Sequence, residues 1–463
     1  MKKTILIVML GLSITASAQN PIIQTHYTAD PAPMVKGDTL FVYADVDEPK
    51  ADFFWMYQWR VYSTIDMVNW TDHGELLGLN SFSWADDRAW ATQCCERDGK
   101  YYWYICAHSK LSGGMAIGVA VSDSPTGPFK DAIGHPLYDD GKWDNIDPTV
   151  LMDGKNAYLV WGNPEIHQAK LADNMTSFDG EVSIIRQDEK SFGAPSPAFR
   201  KRGMKYKDIY VEGPWLAKRN KNYYLLYSAG GVPEHIAYSM SRKPQGPWIY
   251  KGIVMPQENE TNSFTNHCGI IDFKGHSYFF YHTGNLPGGG GFDRSIAVEE
   301  FKYNKDGTIP AILPTREGVK PTGTLNPFQK TEASTIAWEK GLTTEQSLRT
   351  GVYVTDIQNG DWMKVREVNF SSQPQKISIS AASASQGGTI ELHADSINGK
   401  MIATINIPST GGWENFCNFS ANTLIPVTGV HDLFFVFHGQ KGRKLMNFSW
   451  WEMEKQERDD EEK

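Results

Sequence analysis

Cysteine is scarce in this chain. Five among 463 residues (Cys94, Cys95, Cys106, Cys268 and Cys417) are odd in number and irregularly spaced, which is no disulfide framework. The fold must rest on its own apolar core, and the thiols read as buried and free. An excess of positive charge is also lacking. The chain has 45 Lys and Arg against 54 Asp and Glu, a net charge of −9, and no basic cluster breaks that balance, which argues against a nucleic-acid surface. No long stretch shows helical periodicity. The glycine-rich loop NLPGGGGF at 285–292 lacks the strand-to-helix setting and the Lys-Ser/Thr that phosphate binding requires, so it reads as a rim loop.

What the chain has in quantity is aromatic: 12% of residues, with 15 tryptophans. Sugar-binding sites use such rings as flat platforms, and aromatic-rich β-cores reach the same count. Residues 1–18 form an export leader, with Lys2 and Lys3, the apolar run Ile5 to Ile14, and Ala16-Ser17-Ala18 before Gln19. That run is too short to span a membrane, and no cysteine follows it to take a lipid. The expected address is periplasmic or secreted. The charged end, 456–463, reads as a solvated tail.

One layout recurs at intervals of 54–67 residues: Gly37 before DTLFVYAD, Gly99 before KYYWYICAH, Gly154 before KNAYLVWG, Lys221 before NYYLLYSAGG, and Gly275 before HSYFFYHTG. Each is a turn entering an aromatic and aliphatic strand. Seven to nine residues ahead of the turn stand Asp30, Ala91-Thr92, Asp147, Glu212 and His267. A second repeated phrase follows in DMVNWTDHG, SDSPTGPFKD and SRKPQGPWIYKG, each an outer turn with an aromatic after its corner. Several short strands per repeat suggest propeller blades, whose innermost strands face one axis. Asp30, Asp147 and Glu212 would then share a pocket. The alternative is that acids before strands are ordinary turn residues.

The repeats fill 21–315. The phrase YNKDGTI at 303–309 reads as the hairpin closing the last blade. Residues 316–326, with proline, glycine and threonine, read as a linker. A second unit over 327–455 has alternating strands about ten residues apart, as a β-sandwich does, and no acids in a repeated frame. The chain is therefore expected to be all-β, a five-bladed β-propeller followed by a jelly-roll sandwich.

The phrases YTADPAPM around Asp30, WDNIDPTV around Asp147, YVEGPW around Glu212, TNHCGIIDFKGHSYFFYH around His267 and DRSIAV around Arg294 together resemble glycoside hydrolase family 43 over about 22–315. That resemblance implies the five blades and an inverting mechanism. In it Asp30 is the general base, Glu212 the general acid, and Asp147 the residue that tunes the acid. His267 matches an axial histidine associated with calcium or water, and Arg294 an arginine near the acids. From IQNGDWMKV, STGGWENF and LMNFSWWEM the second unit resembles a family 6 carbohydrate-binding module. This implies a structural calcium near Glu332 and a sugar cleft to which Trp413 and Asn447 belong. Asp356 stands where that family often has tyrosine, and Trp413, Phe416 and Tyr353 all remain candidates for the stacking ring.

Inverting hydrolysis needs two carboxyls roughly 6.5–9.5 Å apart, one ionised and one holding its proton. Trp90, Trp143 and Trp215 flank the motif positions and can stack on a sugar, though such rings are more often core than platform. The expected substrate is an arabinose- or xylose-bearing plant polysaccharide. No organic cofactor is implied, and the chain carries no signal for an oligomeric state. An endo-arabinanase, a retaining fructan hydrolase on the same architecture, and a non-catalytic sugar-binding propeller are the alternatives.

Overall fold

The structure is a computed structural model, and it describes residues 19–194, 209–256 and 261–456. The leader at 1–18 and the tail beyond 456 lie outside the described residues. The chain is all-β. The α-helix among the described residues is the four-residue turn Glu189–Phe192, and none is long and apolar enough to cross a membrane.

Each repeat read in the sequence is the first hairpin of one antiparallel sheet. The hairpins pair Thr28–Lys36 with Thr39–Val46, Ala85–Arg97 with Lys100–Ser109, Thr149–Asp153 with Asn156–Trp161, Tyr210–Arg219 with Asn222–Ala229, and Gly269–Phe273 with His276–Thr283. All five close through two residues. Asp98-Gly99 and Lys274-Gly275 both have positive φ at each position, the backbone that suits a right-twisted hairpin. The outer-turn phrases connect third to fourth strands in the first, second and fourth sheets, and bury Trp70, Phe129 and Trp248. The five first strands lie side by side in a ring, the fifth returning to the first. Four apolar clusters fill the spaces between successive sheets.

The YNKDGTI turn does not extend the fifth sheet, which has three strands. It docks on the fourth: Tyr224 Oη donates to the Gly307 carbonyl, and the amides of Ile309 and Ile312 donate to Tyr238 Oη and the Val254 carbonyl. Buried Ile309 and Ile312 explain the detour, because their apolar partners are on that sheet.

The second unit is two five-stranded antiparallel faces around one apolar core. Asn447–Lys455 is central in one, with Thr331–Glu332 added at its side, and Gly429–Gly439 is central in the other. The segment between the units is packed down. Val319 and Leu325 are buried, the Leu325 amide donates to the Glu367 carbonyl, and the Thr322 amide to that of Asp66. Thr335–Ile336, from the second unit, pairs with Trp70–Gly78 as an extra strand of the first sheet. Beside it Arg60 and Asp72 form a buried ion pair at 2.8 Å, and Thr344 of the second unit hydrogen-bonds to both. Four cysteines are buried, Cys417 is exposed, and all five are free.

Candidate active site

The ring of first strands brings the predicted acids together at one end. Asp30 sits where Thr28–Lys36 breaks register with its partner, and Asp147 just before Thr149–Asp153. Both adopt left-handed backbone, φ 49° and 58°, a conformation uncommon for side chains other than glycine and concentrated at functional sites. Glu212 lies at a similar irregularity in Tyr210–Arg219. Gly213 beside it has φ +58°, and its amide donates to Asp147 Oδ2 at 2.9 Å. A Cβ there would lie 2.9 Å from the His267 ring, so the Glu-Gly-Pro phrase needs glycine twice over.

His267 is the hub. Its Nδ1 lies 3.3 Å from Asp30 Oδ1, and its Nε2 lies 3.3 Å from Glu212 Oε1 and 3.9 Å from Asp147 Oδ2. Burial opposes charge on the ring, but Asp30, Asp147 and Glu212 outweigh it and hold its pKa well above the ordinary value. The two 3.3 Å contacts plus one ring width cap the Asp30–Glu212 separation at about 9 Å, compatible with the roughly 6.5–9.5 Å that leaves room for a water.

The carboxyls are in different states. Burial pushes the Asp30 pKa up, but His267, Arg294 and His282 together bring it well below the usual carboxylate range. Arg294, 2% exposed, grips Asp47 with two guanidinium nitrogens at 3.0 and 2.8 Å and reaches Asp30 with the third at 3.3 Å. Asp147 is raised to about 7, first by burial and then, against His267, by Glu212 and Asp30. Burial and Asp30 push Asp45 well above the usual range, and burial and Glu212 do the same to Glu234. Glu212 faces the cavity, with Oε2 accepting from Asn163 Nδ2 at 2.8 Å. The site thus offers an ionised carboxylate across one imidazole ring from a solvent-facing one, with proton-holding carboxyls around them. Acid–base hydrolysis of a glycosidic bond uses such a pair when the solvent-facing carboxyl enters the reaction protonated.

Above these groups is a cavity of about 190 Å³ walled by Phe53, Phe54, Trp90, Trp143, Ile146 and Thr265. Trp143, 49% exposed, meets Trp90 edge-on at 5.7 Å, and Arg88 lies over its ring. Larger hollows of about 860 and 520 Å³ lie between the two units, but neither gathers the acids of the repeat.

Asp30, Asp147, Glu212, His267, Arg294 and Trp90 all line the cavity. Trp215 does not; it is 6% exposed and packs into the core beneath, because its strand has passed below the rim by that residue. Trp413 and Asn447 are in the second unit. Asn447 is buried, accepting from Thr355 Oγ1 and donating to the Trp413 carbonyl. Lys444 covers the Trp413 ring at 4.9 Å, and Tyr353 is buried against Phe416. Glu332 is half exposed and pairs with Lys330 at 3.3 Å. Sequence reasoning missed Asp45, Asp47, Asn163, Glu234 and His282. The first three and His282 stand at or just past the end of a second strand, in FVYADVD, YLVWGN and YFFYH, and Glu234 just before a third.

Both nitrogens of His267 face carboxylates, and Asp147, Glu212 and His267 bring ligand atoms close enough together to hold a metal ion.

Comparison with known proteins identifies the family. The profile of glycosyl hydrolases family 43 matches residues 18–309, and that of carbohydrate binding module family 6 matches 332–455. The chain belongs to glycoside hydrolase family 43 and is a glycosidase. It is 30% identical to an arabinoxylan arabinofuranohydrolase of Bacillus subtilis (strain 168), over 94% of this chain and 92% of that one. It is also 30% identical to a xylosidase/arabinosidase of Bacteroides ovatus, over 63% of this chain and 96% of that one. The crystal structure of a family 43 arabinoxylan arabinofuranohydrolase from Bacillus subtilis, in complex with cellotetraose, superposes with a TM-score of 0.81 at 29% identity, covering 95% of this chain and 98% of that one. A β-xylosidase/α-arabinofuranosidase from a compost metagenome, in complex with xylotriose and in calcium-free form, gives 0.56 at 30% identity over 64% and 98%.

Proposed function

We propose that this protein is an inverting glycoside hydrolase that releases arabinose or xylose from arabinoxylan or xylan, as an α-L-arabinofuranosidase, a β-xylosidase or both. The observation that carries the reading is Asp30 and Glu212 facing each other across His267 at the floor of a cavity walled by aromatic rings. In it Asp30, held ionised, takes the proton of the attacking water. Glu212, on the solvent side and 2.8 Å from Asn163, delivers a proton to the leaving oxygen. Asp147 holds a proton near neutral pH and pins Gly213, which keeps Glu212 in place. Trp90 and Trp143 wall the bound sugar.

The five sheets are read as propeller blades, in support of which stand their equivalent first hairpins and the ring of first strands. The second unit, over about 327–455, is read as a jelly-roll module that holds the polymer, with Trp413 at its sugar cleft. Export, to the periplasm or outside the cell, rests on the leader pattern of residues 1–18. Calcium enters as a structural ion near Glu332, with the calcium-free description of one relative as support for calcium in the family; a melting point unmoved by a calcium chelator removes it.

The activity is tested with Asp30→Asn and Glu212→Gln on arabinoxylan and on nitrophenyl pentosides. Each should lose about 10²–10⁴-fold in kcat, the worth of a general acid or base, with the melting curve retained. Full activity in either removes that residue from its role. NMR should show the first-formed sugar with inverted anomeric configuration; retention contradicts the mechanism.

A further inference from the structure

Beside the active-site rim, three side chains that the proposed reaction does not use come together. Asp144 lies in the loop leading into Thr149–Asp153. Glu165 and His167 lie at the start of the third strand of the same sheet. One oxygen from each acid and one ring nitrogen of His167 lie within 4.8 Å of one another. His167 is 4% exposed and stacks on Trp161 at 5.4 Å, and its Nε2 is buried with no hydrogen-bond partner. A buried imidazole nitrogen without a protein partner is costly, and a ligand held at this cluster would satisfy it.

We propose that Asp144, Glu165 and His167 hold a first-row divalent transition-metal ion of the zinc type. One imidazole and two carboxylates are a zinc-like set and leave a position open to water on the exposed Glu165 side, whereas calcium prefers oxygen alone. The ion would join two loops already linked by backbone. The amides of Ile146 and Asn163 both donate to the Asp144 carbonyl, and the Gly162 amide donates to that of Ile146. These loops carry Asp147 and Asn163, the partner of Glu212, so the ion is a positioning device and takes no part in the chemistry.

Zinc alone is the probe. The full chain, freed of metal with a chelator, is titrated with zinc against a chromophoric competitor and melted with and without the ion. The expected result is one zinc per chain and a raised melting temperature, with affinity reduced at least about tenfold in Glu165→Gln and Asp144→Asn and lost in His167→Gln. Glu165 is exposed, so that variant folds whatever becomes of the histidine variant. No binding to the wild type, or the same binding in Glu165→Gln and Asp144→Asn, overturns the proposal; in the second case the ion sits elsewhere, Asp147–Glu212–His267 being another cluster among the described residues able to take it. The readout is binding, so it stands apart from the success or failure of the hydrolase assays.

Discussion

Asp147→Asn should make the protein more stable at neutral pH and less active. Asp147 is 5% exposed, and its pKa is raised from 3.8 to about 7, first by burial and then by Glu212 and Asp30 against the opposing His267. The unfolded chain loses this proton near pH 4, while the folded chain keeps it to about pH 7. In that window the folded state binds more protons, so stability is fully present below the unfolded value and is lost as pH rises through the folded one. At about 1.36 kcal/mol per pKa unit the full loss is about 4 kcal/mol, of which about 2–3 kcal/mol falls between pH 5 and 8. Asparagine keeps the shape, and its oxygen can still accept from the Gly213 amide, but it has no proton to lose. Denaturant unfolding of both proteins at pH 5, 6, 7 and 8 should therefore show the variant pulling ahead of wild type by that amount. Some of the gain is offset because His267 loses one anionic neighbour at 3.9 Å. Parallel stability curves, or a variant that falls behind as pH rises, would refute the reasoning, since either means that Asp147 does not carry its proton in the folded state.

Other perturbations have equally direct outcomes. Gly213→Ala should cost about 1–2 kcal/mol for the left-handed backbone and more for the His267 clash, and should lower kcat by about 10²-fold through displacement of the hub; wild-type kinetics would dismiss the role given to this glycine. Arg294→Met leaves Asp47 buried without its partner and should cost about 3–5 kcal/mol, with the acidic limb of kcat/KM moving to higher pH as Asp30 loses a cation; an unmoved limb separates Arg294 from the base. Trp143→Ala, at an exposed site, should change stability by less than about 0.5 kcal/mol but raise KM on arabinoxylan about tenfold; an unchanged KM takes this ring out of the substrate path.

Asp30, Asp147, Glu212 and His267 were legible because they share one place in a repeat, just ahead of or at the start of each sheet's first strand, and repetition converts sequence position into spatial convergence. Asp45, Asp47, Asn163 and His282 were equally regular at the ends of second strands, but aromatic residues dominate those stretches and the polar residue at the end looks like a turn. Trp215 shows the limit of adjacency: three residues beyond Glu212 along a strand is roughly 10 Å, far enough to leave the rim for the core. The 316–326 segment, expected as a linker, has buried residues that its composition does not announce. Its prolines, glycines and threonines resemble a tether, but Val319 and Leu325 follow no period and so gave no sign that they are buried.

The strand Thr335–Ile336 and the Arg60–Asp72–Thr344 contact make the two units a single mechanical piece. A catalytic fragment ending near residue 326 would expose a raw sheet edge along Trp70–Gly78 and strip Asp72 of its threonine donor, so it should aggregate where the full chain stays dispersed. Exchanging the second unit for a foreign one would do the same damage unless that strand came with it. The carbohydrate module therefore cannot roam on a leash in search of polymer: wherever it lands, it dictates the angle at which the hydrolytic face meets the chain.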